Sequence, residues 1–154
     1  ERNMKFQHQV MTPASVEWLW KFVTDIPEVA MCIPWIKDVE KIDEQTYNAT
    51  INIRVGPISL AMDGQLFIEE LDQEEFRGSF RAEISDRRAA GTVHMKMHIS
   101  LDANTGNQTS LIIDTEATIA GKLGEFGQSI LRRKADSLMD IFAKNIAKKA
   151  EEQL

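Results

Sequence analysis

The side chains with the most chemical reach are few. Outside the carboxylates they are three histidines, His8, His94 and His98, and one cysteine, Cys32. A Cys–His nucleophile needs one of those histidines beside Cys32, and nothing in the spacing provides it; a lone cysteine flanked by apolar residues and close to Pro34 reads as a buried, inert thiol. His94 and His98 would chelate together on a helix. Their neighbours alternate, however, which makes them strand residues about 13 Å apart on a solvent face shared with Lys96. No metal or other cofactor is therefore expected. Gly121-Lys122 lacks both the following Ser/Thr and the earlier glycine of a phosphate loop, so the spacing of Gly121, Gly124 and Gly127 reads as close helix–sheet packing. His8 differs from the other two, because its parity turns it inward. It is either a core histidine satisfied by a hydrogen bond or, with Tyr47, Thr109 or Thr115, a group that fixes the polar head of a ligand.

These residues are positioned by one domain spanning residues 1–154, with Met4 a candidate original start and residues 1–3 candidate added sequence. The 154 residues carry 18 basic and 24 acidic side chains, a net charge of −6 that disfavours nucleic acid as a partner. No export signal and no apolar run near the roughly 18 residues of a membrane span occur; the expected location is the cytoplasm, with peripheral contact to the inner face of the membrane as the alternative. Residues 5–11 alternate as a half-buried strand. Thr12-Pro13 predicts a helix start, with Val16, Leu19, Trp20 and Val23 as its core stripe to about Thr24. A short helix fits around 28–31 between Pro27 and Pro34. A poorly patterned strand near Val39 and Ile42 follows, then a clear one at 47–55. Gly56-Pro57 turns into the next strand, placing Val55 opposite Ile58. Three further strands follow, bearing Phe76, Phe80, Ala82 and Ile84; Val93, Met95, Met97, Ile99 and Leu101; and Leu111, Ile113, Ala117 and Ile119. From about 123 to 151 the period returns to 3.6, with Phe126, Ile130, Leu131, Leu138, Ile141, Phe142 and Ile146 on one stripe.

This order predicts an α+β domain in which a curved seven-stranded antiparallel sheet wraps a long C-terminal helix. Seven strands span about 30 Å, whereas a helix is about 10–12 Å across. One helix cannot roof so broad an apolar face, so either a hollow remains or large side chains fill it. Gly64, Gly78 and Gly91 lie inside strand patterns where curvature needs them. The inward residues nominated to line a hollow are His8, Tyr47, Met62, Phe80, Met95, Met97 and Ile113 from the strands, with Phe126 and Ile130 from the helix. Methionines suit a wall that adapts to varied ligands. Two surfaces qualify for partner binding: Trp18 with Phe22, four apart on the first helix and opposite its core stripe, and the basic last helix, including Arg132 and Arg133. For each there is a plain alternative: burial under the end of the last helix in the first case, an ordinary solvated face in the second.

Trp20, Asp25, Pro27, Cys32-Ile33-Pro34, Val55-Gly56-Pro57-Ile58, Gly64, Ala120-Gly121-Lys122-Leu123 and Gly127 occur in an order that resembles the carbon monoxide dehydrogenase CoxG family. That family has the helix-grip fold of START and Bet v 1-like proteins. The likeness covers about residues 4–148. It implies an accessory protein, not a catalytic subunit, that works beside molybdenum-containing carbon monoxide dehydrogenase-type hydroxylases and handles a lipophilic molecule such as a quinone or lipid. The sequence departs from the family at Trp35, where the family has glycine, at Ile26, an extra residue before Pro27, and at Gly124, usually alanine. Trp35 therefore joins the candidate cavity residues, as a lining or a plug. Many relatives continue into a membrane-anchoring tail that this sequence does not include. Two other functions stay open: an enzyme of the polyketide cyclase or dehydratase kind, for which the inward positions provide only His8, Tyr47 and two threonines, and a docking module with a filled core.

Overall fold

The computed structural model describes residues 1–88 and 91–153. Its elements run β1 (Arg2–Thr12), α1 (Val16–Thr24), α2 (Ile26–Ala30), β2 (Ile36–Asp43), β3 (Thr46–Val55), β4 (Ile58–Asp72), β5 (Arg77–Asp86), β6 (Gly91–Ala103), β7 (Thr109–Gly121), a 3₁₀ turn (Lys122–Glu125) and α3 (Gln128–Glu151). The strands form one antiparallel sheet in the order β1-β7-β6-β5-β4-β3-β2. Consecutive strands from β2 to β7 pair as neighbours, so short turns suffice. Only the passage from β1 to β2 must cross the whole sheet, and α1 and α2 make that crossing. The predicted hairpin has the predicted register, Val55 against Ile58, with Gly56 at φ 59° in the two-residue turn. Register shifts in β4 between Ile68 and Glu70, and twice in β2, bend the sheet.

The helix ends differ from the sequence pattern. α1 is capped by Ser15, whose hydroxyl accepts from the Trp18 amide at 3.2 Å. Thr12 is not the cap: it stays in the ladder opposite Thr109, and Pro13-Ala14 are spent turning off the sheet. α2 starts at Ile26 under the Asp25 carboxylate and keeps Pro27 in its first turn, where a missing N–H costs no hydrogen bond. The last helix is interrupted. After the 3₁₀ turn, Phe126 is extended (φ −64°, ψ 138°) and α3 starts only at Gln128. This turn folds tightly onto the sheet. A Cβ at Gly124 would lie 2.8 Å from the Ile119 carbonyl oxygen, and one at Gly91 2.2 Å from that of Ala120, so both sites require glycine. Because the helix starts late, its inward stripe is Leu131, Ala135, Leu138, Phe142, Ile146 and Ala150. Ile130 (41% exposed) and Ile141 lie outside it.

The concave face of the sheet is packed as two clusters. One joins α1, α2, β5–β7 and the C-terminal half of α3 through Leu19, Trp20, Phe22, Phe80, Phe142 and Ile146. The other joins β1, β3, β4, β7 and the 3₁₀ turn through Met4, Val55, Leu60, Met62, Ile119 and Leu123. α1 lies over the first. Over the second there is only the N-terminal half of α3, which leans towards β1 and β3.

Candidate functional site

Between the second cluster, α2 and the first turns of α3 lies a cavity of about 380 Å³, within the range of about 300–1,000 Å³ typical of small-molecule sites. Its walls follow from the residues facing it. From β3 to β7 the inward positions carry Ala49, Ile51, Ile53, Leu60, Met62, Gly64, Ala82, Ile84, Met95 and Ala117, which are aliphatic or small. Gly64 widens the space further, since a Cβ there would meet Ile51 Cδ1 at 2.9 Å. Ile26, Val29 and Ala30 of α2 form the next side. Leu131, Lys134, Ala135 and Leu138 of α3 close another. Besides the indole of Trp35, only Tyr47, Gln65 and Lys134 among the lining side chains have a polar end.

Of the residues nominated from the sequence, Trp35, Tyr47, Met62, Met95 and Met97 lie on this wall. Trp35 is held by its loop: its carbonyl accepts from the Asn52 amide at 2.9 Å, and the Cys32 carbonyl accepts from the Asn145 side chain of α3 at 3.1 Å. Phe80 and Ile113 do face inward, but they belong to the filled cluster beside the cavity. Phe126 packs against the second cluster from the break before α3 and is not on the wall. Ile130 is on the exposed flank of α3. For both, the correction has the same origin: the helix begins about five residues later than its apolar period suggests.

His8 is inward and 15% exposed, but it is not on the wall either. Its Nε2–H donates to Asp136 Oδ1 of α3 at 2.8 Å, and its ring stacks on Phe6. Its Nδ1 is buried without a partner among the described residues. His8 thus ties β1 to α3. The threonine suggested to work with it is also occupied, since Thr109 donates its hydroxyl to the Ala14 carbonyl at 2.7 Å. Arg132 adds to the same tie: its guanidinium lies 4.9 Å from the Phe6 ring centre and donates to the Lys5 carbonyl at 3.1 Å. Arg133 is exposed on the outer side, donating to the Ser129 carbonyl. Trp18 and Phe22 are stacked with ring centres 5.0 Å apart, but Phe22 is only 7% exposed and both pack into the filled cluster. They are core, so the exposed aromatic pair expected from helical parity does not exist.

The remaining chemistry is accounted for elsewhere. Cys32 is buried in the filled cluster, and burial pushes its thiol above the ordinary range although Lys149 opposes this. His94 and His98 lie on the outer face of the sheet, bonded to Glu83 and to Ser79 Oγ respectively. Burial raises the Glu83 carboxyl, but hydrogen bonds from Arg81 and His94 outweigh it and hold the group below the usual carboxylate range. The residue that sequence reasoning misplaced is Lys134. It reads as one more cation of a solvated face, yet it lines the cavity. The signal was present: Leu131, Lys134, Ala135 and Leu138 stand at i, i+3, i+4 and i+7, one face of a helix.

A seven-stranded antiparallel sheet curled about a C-terminal helix, with an apolar hollow between them, defines the helix-grip class of START and Bet v 1-like proteins. Solved structures agree on the fold. A conserved protein from Geobacillus kaustophilus superposes with a TM-score of 0.88 at 21% identity, over 97% of this chain and 96% of that one. The ZhuI aromatase/cyclase from Streptomyces sp. R1128 gives 0.72 at 13% identity, over 99% and 96%. A START superfamily protein from Mycobacterium smegmatis gives 0.72 at 12%, over 97% and 99%. Among curated protein sequences none matches the chain. The family model for CoxG, a carbon monoxide dehydrogenase subunit, matches residues 9–151, and the chain belongs to that family.

Proposed function

We propose that this protein is a non-catalytic accessory that holds a lipophilic molecule, of quinone or lipid type, inside the cavity, and that it serves a carbon monoxide dehydrogenase-type molybdenum hydroxylase. The observation that carries the reading is the cavity: about 380 Å³ of space walled by aliphatic side chains in an otherwise close-packed domain. Such a space is costly unless something occupies it, because its lining forgoes dispersion contacts. Family membership supports the partner. Catalysis of the cyclase kind would need acid and base groups converging on the hollow. For that role the wall offers only Tyr47, Gln65 and Lys134, and His8 is engaged by Asp136. No helix among the described residues is long and apolar enough to cross a membrane, so membrane contact in this proposal is peripheral.

Native mass spectrometry of gently purified protein tests the reading. A co-purifying apolar mass, or uptake of an added quinone or lipid at one molecule per chain, is expected. Protein that is empty and takes up neither contradicts it.

A further inference from the structure

We infer that the occupant of the cavity is an amphiphile with an anionic, carboxylate-type head, and that Lys134 binds that head. The inference rests on the cavity being a ligand site and adds the ligand's charge. Lys134 is the one charged side chain lining the cavity, and no acidic residue shares the wall with it. It is half-buried, and among the described residues it has no hydrogen-bond or ion-pair partner. Its own helix gives it none: the positions three and four residues away are Ile130, Leu131, Ser137 and Leu138. The neighbouring cations differ. Arg132 has the Lys5 carbonyl and the Phe6 ring, and Arg133 has the Ser129 carbonyl. An ammonium beside an apolar hollow is disfavoured until a counter-charge meets it. Filling the hollow with a wholly apolar ligand would strip water from Lys134 and return nothing. An anionic head offsets that loss with a charge-assisted hydrogen bond, while the tail takes the aliphatic wall. Tyr47 and Gln65, also on the wall, are likewise without side-chain hydrogen-bond partners among the described residues and offer neutral donors for a second head oxygen.

The test uses the intact chain and displacement of a neutral fluorescent probe, phenylnaphthylamine, by decanoate and by decanol, which share a tail and differ in head charge. Wild type is expected to bind decanoate about tenfold more tightly than decanol. Lys134→Met should bind the probe as wild type does and lose the preference, Lys134→Arg should retain it, and Lys144→Met, an exposed lysine of the same helix, should leave it unchanged. Equal affinity for the two heads in wild type, or a preference that survives in Lys134→Met, overturns the assignment of the head while leaving the cavity as a site for neutral ligands. Failure of the probe to bind at all overturns both.

Discussion

The same sheet is roofed in two ways. At one end α1 and the C-terminal half of α3 lay Leu19, Trp20, Phe22, Phe142 and Ile146 onto Phe80, Ile99 and Leu111, and the space is full. At the other end the roof is the N-terminal half of α3 with α2, the side chains of α3 there are Leu131, Lys134, Ala135 and Leu138, and the sheet answers with alanine, glycine, isoleucine and methionine. Both ends are apolar and both alternate in the same way. What separates them is volume. Trp18, Trp20, Phe22, Phe76, Phe80 and Phe142 serve the filled end, while Phe6 and Phe126 are the only aromatic members of the hollow cluster. Trp35 and Tyr47 stand at the boundary, packed on the first cluster and lining the cavity. A helix too narrow for its sheet is thus compensated where aromatic rings are plentiful and leaves a cavity where they are not.

Truncation should expose that difference most strongly. Ile146, fully buried at the filled end, should lose about 2–5 kcal/mol on replacement by alanine. Met95→Ala on the cavity wall should lose no more than about 1 kcal/mol without ligand, because it enlarges a hollow already present and opens no new one in packed surroundings. Urea unfolding of both variants measures the gap, and equal losses would break the contrast. Enlargement should act in the opposite sense. Ala150→Phe, at a fully buried site, should cost about 1–3 kcal/mol through overpacking. Ala135→Phe, facing the cavity, should leave stability within about 1 kcal/mol while reducing the space for a ligand.

The extent to which the sequence announced this contrast has a physical explanation. Strand alternation reports which face a side chain takes, so the β3–β4 hairpin, its Val55–Ile58 register and the inward sets of β5, β6 and β7 were legible. The mismatch of sheet and helix widths also predicted a hollow. Parity does not report what a side chain meets once it points inward. Phe80 and Ile113 meet the filled cluster, whereas Met95 and Met97 face the hollow, and all four obey the same alternation. Helix boundaries were less legible. The apolar period runs through Phe126 and Ile130, but the tight approach of Gly124 to Ile119 produces a break at Phe126-Gly127 that no periodicity contains. Phe22 seemed exposed because a two-sided helix cannot be told from a one-sided one by its own stripe. Lys134 was hidden by its chemistry, since a cation among cations reads as solvent-facing until the positions three and four residues away are inspected.

A smaller effect sharpens the comparison further. Cys32 lies in the filled cluster, and burial holds its thiol above the ordinary range, so the reactive thiolate is scarce and shielded at neutral pH. Native protein should therefore react much more slowly with a thiol reagent than protein unfolded in urea, and ligands that enter the hollow end should leave that rate nearly unchanged. A ligand that strongly protects Cys32 would mean that the two ends are not separate.

The most direct measurement is a titration of the wild-type chain and of Ala135→Phe with the neutral probe phenylnaphthylamine, followed by its fluorescence. The account predicts saturable binding of one probe per wild-type chain with the blue-shifted emission of an apolar site, and a marked loss of affinity in a variant whose unfolding midpoint is little changed. Wild-type protein that leaves the probe in water, or a variant that binds it as well as wild type does, would contradict it.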